Sequence, residues 1–330
     1  MSFVARFGLS LSLLASSFAC KHNDNAQLNA SDASVPASAK QVLILLGGFG
    51  SCGSDERNKA TPISGLGAPG SMNKIRETLI SAFEGKPDRV FSTCYAVEYN
   101  AQMKLPEIGA YNLFMVDSAN PTVVEKLPPE AMLNKIIGKL SEPELQKAQV
   151  HVVGHSYGGW SAMKLLQQTV QKFKLATEQP FQIKTFVTLD PVSKTECYPK
   201  VIFDHVIALQ KDSKGQPLPQ DLTPVGCRRA PVEFNSDLKA MSCRVAVWKN
   251  YYQENSGILA SSAIGSGMKL PITNIDLMTI PTERDPRAFQ KGTLGGHLAF
   301  LKEDPLLSQV KGLIAAQQKK PFALQAGCSL

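Results

Sequence analysis

Several common signals are missing from this chain of 330 residues. None of its seven cysteines stands in a C-x-x-C pair, which argues against a zinc site. No basic run is interleaved with aromatic residues, so the formal charge of +7 reads as solubility or loose attraction to anionic surfaces, not as nucleic-acid binding. The glycine-rich stretch Gly47-Gly48-Phe49-Gly50 lacks the Lys-Ser/Thr of a P-loop and is not G-x-G-x-x-G. It therefore carries no nucleotide signal, and no cofactor is called for. No internal repeat is visible. The apolar stretch near the start, Phe7 to Phe18, falls short of the roughly 20 residues of a membrane span. What is present is a chain with 43% hydrophobic residues, able to bury a large core. Its length allows two domains, but α/β enzymes of this size are often one domain with insertions.

The first residues read as an export signal. Arg6 precedes the apolar stretch, which ends in Ser17-Phe18-Ala19-Cys20: a charged start, an apolar middle and small residues at a cleavage site. This resembles a bacterial lipoprotein signal, in which a cysteine after a small residue becomes the lipidated N-terminus. Ser17 departs from the usual leucine, and Ser17-x-Ala19 also suits ordinary signal-peptidase cleavage. The reading taken is a signal over 1–19, lipidation at Cys20 and membrane attachment through it. The mature chain would then face the periplasm or the cell surface, or be periplasmic or secreted if not lipidated. Residues 20–39, rich in Asn, Asp, Ala and Ser without periodicity, read as a flexible tether. Cys52, Cys94, Cys197, Cys227, Cys243 and Cys328 remain. An even number in an exported chain favours disulfides, with buried free thiols as the alternative.

From residue 40 onward the pattern alternates. Val42 to Leu46 is a continuous apolar run, the mark of a parallel strand covered on both faces. Further strands are expected over Arg89 to Tyr95, Gln149 to Val153, Ile183 to Leu189, Val245 to Trp248 and Ile275 to Ile280. Ser71 caps an expected helix over Met72 to Phe83. Residues 96–121 read as loop with short elements, and Val123 to Ala148 as helix in pieces, broken by Pro128, Pro129 and Pro143. A last helix is expected over Pro305 to Ala316. Residues 191–243 lack the alternation and read as an insertion or cap, able to act as a lid. The fold class is α/β: a doubly wound, mostly parallel sheet of about six strands, helices on both faces, forming one domain over 40–330.

The chemistry gathers at Val150 to Gly159. A β-branched run leads into Gly154-His155-Ser156-Tyr157-Gly158, and Met163, Leu166, Val170 and Phe173 then fall on one helical face. Strand, G-x-S-x-G and helix together mark a nucleophile elbow. A serine hydroxyl needs a base and an acid to orient that base. Among five histidines, His22 lies in the tether, His151 within the elbow strand, His155 beside the serine and His205 in the insertion. His297, after the last strand in Gly295-Gly296-His297, is the base chosen. Asp190, ending a strand in Leu189-Asp190-Pro191, is the acid chosen, although an Asp-Pro pair can also do no more than shape a turn. Glu254 is the main rival, and Asp276 and Asp285 are remoter ones. The oxyanion would be held by the backbone N–H of Tyr157 and a second from Phe49 or Gly48.

In this order the residues resemble the α/β-hydrolase superfamily. Gly47-Gly48-Phe49 is similar to its oxyanion strand end, Gly154 to Gly158 to its elbow, and His297 to its base after the last strand. The resemblance spans about residues 40–316, without the first two strands of the full family sheet. The usual acid position lies near Glu254, whereas Leu189-Asp190-Pro191 looks like the pattern of pancreatic-type lipases. The resemblance implies a Ser156–His297–Asp190 triad acting on carboxylic esters, lipids among them. Acyltransferase, thioesterase or amidase action and a non-catalytic surface lipoprotein are the alternatives.

Overall fold

The structure, a computed structural model, describes residues 39–49, 53–54, 60–61, 71–95, 112–193, 231–253, 261–277, 304–323 and 328. The apolar run at the start forms β1 (Gln41–Phe49), followed by the two-residue strands β2 (Gly53–Ser54) and β3 (Ala60–Thr61), which pair with each other. Then come α1 (Ser71–Ile80), β4 (Arg89–Tyr95), β5 (Leu113–Asp117), β6 (Asn120–Leu127) and α2 (Pro129–Leu140). The elbow unit is β7 (Gln149–His155) and α3 (Tyr157–Lys172). The rest is β8 (Gln182–Leu189), α4 (Leu238–Ser242), β9 (Val245–Tyr252), β10 (Ile272–Asp276) and α5 (Asp304–Gln318).

The main sheet has the order β10-β9-β8-β7-β1-β4-β5-β6. The strands from β10 to β4 pair in parallel, whereas β4–β5 and β5–β6 pair antiparallel. The expectation of about six strands is thus corrected to eight, and the sheet is mixed. Both added strands come from chain read as loop or helix. β6 was hidden because it is an edge strand with no buried face: Val123 and Val124 are 46% and 44% exposed. The proline pair is expected to break a helix. Instead, Pro129 starts α2, at a position where a missing N–H costs nothing. Two further boundaries move. β9 runs on to Tyr252, and β10 lies over Ile272–Asp276 instead of 275–280, its half-buried residues giving no continuous apolar run.

Alternation along β1 divides the core. Val42, Ile44 and Leu46 face a cluster with Met132, Ile136, Tyr157 and Leu166 of α2 and α3. Leu43 and Leu45 face the other side, with Leu79 of α1 and Leu307, Val310 and Ile314 of α5. Helices therefore cover both faces, and the central strands can be apolar throughout. Cys243, just after α4, and Cys328, near the end of the chain, form a disulfide across 85 residues of sequence. Closing a loop of that length stabilises by roughly 4–5 kcal/mol in the chain-entropy model. Cys94 is also disulfide-bonded. Cys20, Cys52, Cys197 and Cys227 lie outside the described residues, as do the expected signal over 1–19, residues 20–38 of the tether, and residues 194–230 of the insertion.

The hairpin is pinned by a buried ion pair. Arg89, opening β4, donates through Nε and Nη2 to the Asp117 carboxylate at 2.9 and 2.6 Å, and Lys139 approaches Asp117 at 3.3 Å. Burial pushes the Asp117 carboxyl up, but Arg89, the Ala119 N–H and Lys139 outweigh it and hold the carboxyl below its ordinary value. A carboxylate depressed in this way stabilises the fold above its unfolded value of about 4, and that contribution is lost as pH falls through the lower folded value. Arg89→Met would leave the buried Asp117 carboxylate to Lys139 and the Ala119 N–H alone and should destabilise by up to about 3–5 kcal/mol. Thermal melts should show that gap at pH 7 and a smaller one near pH 3.

Candidate functional site

The site begins with a backbone distortion. Ser156 joins β7 to α3 with φ +59 and ψ −128, one of three non-glycine residues with positive φ among those described. Such a conformation costs of order 1–3 kcal/mol and persists only where its surroundings enforce it. Here the enforcement is visible. The Ser156 N–H donates to the Leu189 carbonyl at 2.9 Å, and its carbonyl accepts from the N–H groups of Gly159 and Val192 at 2.9 and 3.4 Å. Small neighbours are required on steric grounds. A Cβ on Gly154 would lie 2.4 Å from the Gly158 carbonyl oxygen, and one on Gly158 only 1.9 Å from the Leu46 oxygen. The elbow therefore packs its first helical turn directly onto β1.

Gly48 completes the contact from the other side. A Cβ there would fall 2.6 Å from Ser156 Cβ and 2.9 Å from its Oγ, so the end of β1 lies against the hydroxyl. Phe49 ends the strand, paired with Tyr95. Tyr157 opens α3, whose first turn directs backbone N–H groups and partial positive charge toward the end of β7. The Tyr157 ring is fully buried, stacked on Trp160 at 5.1 Å and edge-on to Tyr95 at 4.9 Å. Burial raises the hydroxyl pKa of both tyrosines.

Asp190 directly follows β8, the strand beside β7, just past the His155–Leu189 pair. It too has positive φ, +46, and is fully buried. Its N–H donates to the Tyr251 carbonyl at 2.7 Å. Its carboxylate accepts from the Gln253 backbone at 3.4 Å, from Gln253 Nε2 at 2.7 Å and from the Ser261 hydroxyl. Leu189, just before it, and Val192, two residues after it, are those bonded to the Ser156 peptide. Ser156, Gly48, Tyr157 and Asp190 are thus brought together at the C-terminal ends of the parallel strands, where ligands bind in open α/β sheets.

The other named residues divide clearly. His151 is fully buried, with Nδ1 3.0 Å from Thr185 Oγ1 and Nε2 3.2 Å from Gln41 Oε1. Burial, then Lys184, push its pKa down to about 3, so it is a neutral structural residue of the core. His155 is buried beside Ser156. Asp276 ends β10, three strands away from β7, or about 14 Å at ordinary strand spacing. His297, His22, His205, Glu254 and Asp285 lie outside the described residues. Gln253 and Ser261, which hold the Asp190 carboxylate, had no local signal in the sequence. Each is ordinary polar chain until the topology sets the end of β9 beside Asp190. Among the described residues no group of three or more His, Cys, Asp or Glu could hold a metal ion.

The chain matches no family model and no curated protein. Among solved structures it is similar to a protein of Agrobacterium vitis S4, provisionally described as a hydrolase, at 13% identity, with 84% of this chain and 88% of that chain covered and a TM-score of 0.35. A likeness at that TM-score carries no functional weight.

Proposed function

We propose that the chain is a serine hydrolase of the α/β-hydrolase kind that cleaves carboxylic esters. The observation that carries this reading is Ser156 itself, held at positive φ between a strand and a helix with the glycine backbone of β1 against its hydroxyl. Strain of this kind is maintained where a hydroxyl must be presented to a substrate. In the proposed reaction His297 takes the Ser156 proton as Oγ attacks the acyl carbon. Asp190 orients the imidazole and stabilises its cation. The N–H groups of Tyr157 and of Phe49 or Gly48 hold the oxyanion, and His297 then protonates the leaving alkoxide. Water, activated by the same histidine, releases the acyl group and restores Ser156. No cofactor takes part in this scheme.

The acid is assigned to Asp190 because its turn is bonded on both sides to the Ser156 peptide. Asp190→Asn should lower kcat by about 10²–10⁴-fold, while Glu254→Gln should change it little. The reverse result would move the acid to Glu254. Export with lipidation at Cys20 belongs to the same proposal and is supported by the Cys243–Cys328 disulfide, a bond that persists in oxidising compartments. Intact mass of native protein checks it, since a mature chain without an acylated Cys20 rules lipidation out. The functional test is hydrolysis of a graded series of esters, with thioesters, amides and alcohol acceptors alongside. Ester cleavage is the expected preference. Faster thioester or amide cleavage, or acyl transfer exceeding hydrolysis, would reassign the reaction.

A further inference from the structure

The turn after Asp190 and the first turn of α3 are joined by a residue that no catalytic step uses. Glu233 lies in a short 3-10 turn, Val232–Phe234, far along the chain from the elbow. Its Oε1 accepts from the Trp160 indole N–H at 2.7 Å, and its Oε2 accepts from the Ser193 hydroxyl at 2.8 Å. Trp160 and Ser193 are 4% and 0% exposed, so the carboxylate bridges two ordered partners.

Each partner leads directly to the nucleophile. Trp160 stacks on Tyr157 with the rings 7° from parallel, and it meets Phe234 at 6.0 Å. Tyr157 is the residue whose N–H is the proposed oxyanion donor. On the other arm, Ser193 follows Val192, whose N–H bonds the Ser156 carbonyl, and Pro191, whose side chain lies where a Cβ on Gly159 would fall, 2.6 Å away. One carboxylate therefore ties the Asp190-Pro191-Val192-Ser193 turn to the helix that begins at the nucleophile. The positive φ at both Ser156 and Asp190 makes that junction a place where the chain would relax if released.

We infer that Glu233 is a positioning residue for the hydrolase site, bridging Trp160 and Ser193 so that Ser156 and Asp190 keep their relative placement. The inference rests on the proposed hydrolase reading. Its chemistry requires two hydrogen bonds and no charge. A glutamine at 233 can accept from Trp160 through its carbonyl oxygen and donate to Ser193 Oγ through its amide. Alanine can do neither.

The test compares Glu233→Ala, Glu233→Gln, Ser193→Ala and the Glu233→Ala/Ser193→Ala pair on an ester substrate. Glu233→Ala should lower kcat tenfold or more with KM within about twofold, since a small misplacement of reacting groups is costly. Glu233→Gln should recover most of the loss, and the pair should fall no further than Glu233→Ala alone. Tryptophan emission gives a second readout independent of turnover. The chain has two tryptophans, and the other, Trp248, is fully buried on β9 with its ring against Phe186 at 4.8 Å. Emission should change in Glu233→Ala and return in Glu233→Gln. Wild-type kcat in Glu233→Ala, or equal loss in the Ala and Gln variants, would overturn the inference about Glu233 and leave the hydrolase reading standing. If Glu233→Ala does not fold, Ser193→Ala and Glu233→Gln decide, with reduced kcat expected in the first and near-wild-type kcat in the second. A wild-type protein with no turnover on any ester, thioester or amide overturns both.

Discussion

Ser156→Gly is expected to abolish turnover and to raise the melting temperature in the same protein. The loss follows from removing the proposed nucleophile. Removing the serine of a Ser-His-Asp triad can cost about 10⁶-fold in kcat, what remains being supplied by the oxyanion donors and binding alone. The gain follows from the backbone. Ser156 sits at φ +59 and ψ −128, a conformation that glycine adopts freely and serine adopts at a cost of order 1–3 kcal/mol. Glycine loses more chain entropy on folding, which offsets part of that relief, so a net gain of about 1 kcal/mol is the expected size. Ser156→Ala should lose activity equally without the gain, because alanine carries the same Cβ into the same strained position. Kinetics on an ester paired with thermal melts of the two variants would show this divergence. A residue placed for packing alone would lose stability in both.

The second large effect concerns the fold beneath the site. Gly158→Ala should prevent folding to the native structure. The added Cβ would stand 1.9 Å from the Leu46 oxygen, 2.5 Å from its carbonyl carbon and 2.8 Å from the Gly47 carbonyl carbon. All three atoms are backbone of β1, which lies between β7 and β4 and has no freedom to withdraw. Relief would require α3 to lift from the sheet and give up the packing of Tyr157, Ala162, Met163 and Leu166. A cost above about 4 kcal/mol is expected, at the far end of what single substitutions do. Gly159→Ala meets Pro191 Cβ at 2.6 Å and its Cα at 2.9 Å and should be damaging but less so, since both contacts are longer than the 1.9 Å at Gly158. Gly138 in α2 has nothing within 4 Å of its would-be Cβ. Gly138→Ala should therefore stabilise by about 0.5–1 kcal/mol and serves as the control. Soluble yield and melting of the three variants test the ranking.

The parts of this architecture legible in the sequence are those where burial leaves a local trace. β1 is covered on both faces and reads as an unbroken apolar run, and β7 and β8, equally buried, read as β-branched strands around His151 and Lys184. α3 showed its helical period, and the elbow declared itself through glycines that the structure requires at each position. What escaped notice was determined by partners distant in sequence. β6 has five exposed residues in a row, so nothing in its pattern marks a strand. It pairs because Arg89 and Asp117 hold β4 and β5 together and a tight turn returns the chain. Asp190 was legible as a carboxylate just past a strand end. The Gln253 and Ser261 donors around it were not, because they arrive from β9 and the chain beyond it. Glu233 was equally silent, a lone carboxylate among mixed polar residues until Trp160 and Ser193 appear on either side.

The central claim is that Ser156 is an activated nucleophile. The direct measurement is labelling of the native protein with a fluorophosphonate probe, followed by peptide mapping. The account predicts one equivalent incorporated, on Ser156, with labelling lost in Ser156→Ala and slowed in Asp190→Asn. A folded wild-type protein that takes up no probe, or equal labelling of the Ser156→Ala variant, would contradict it.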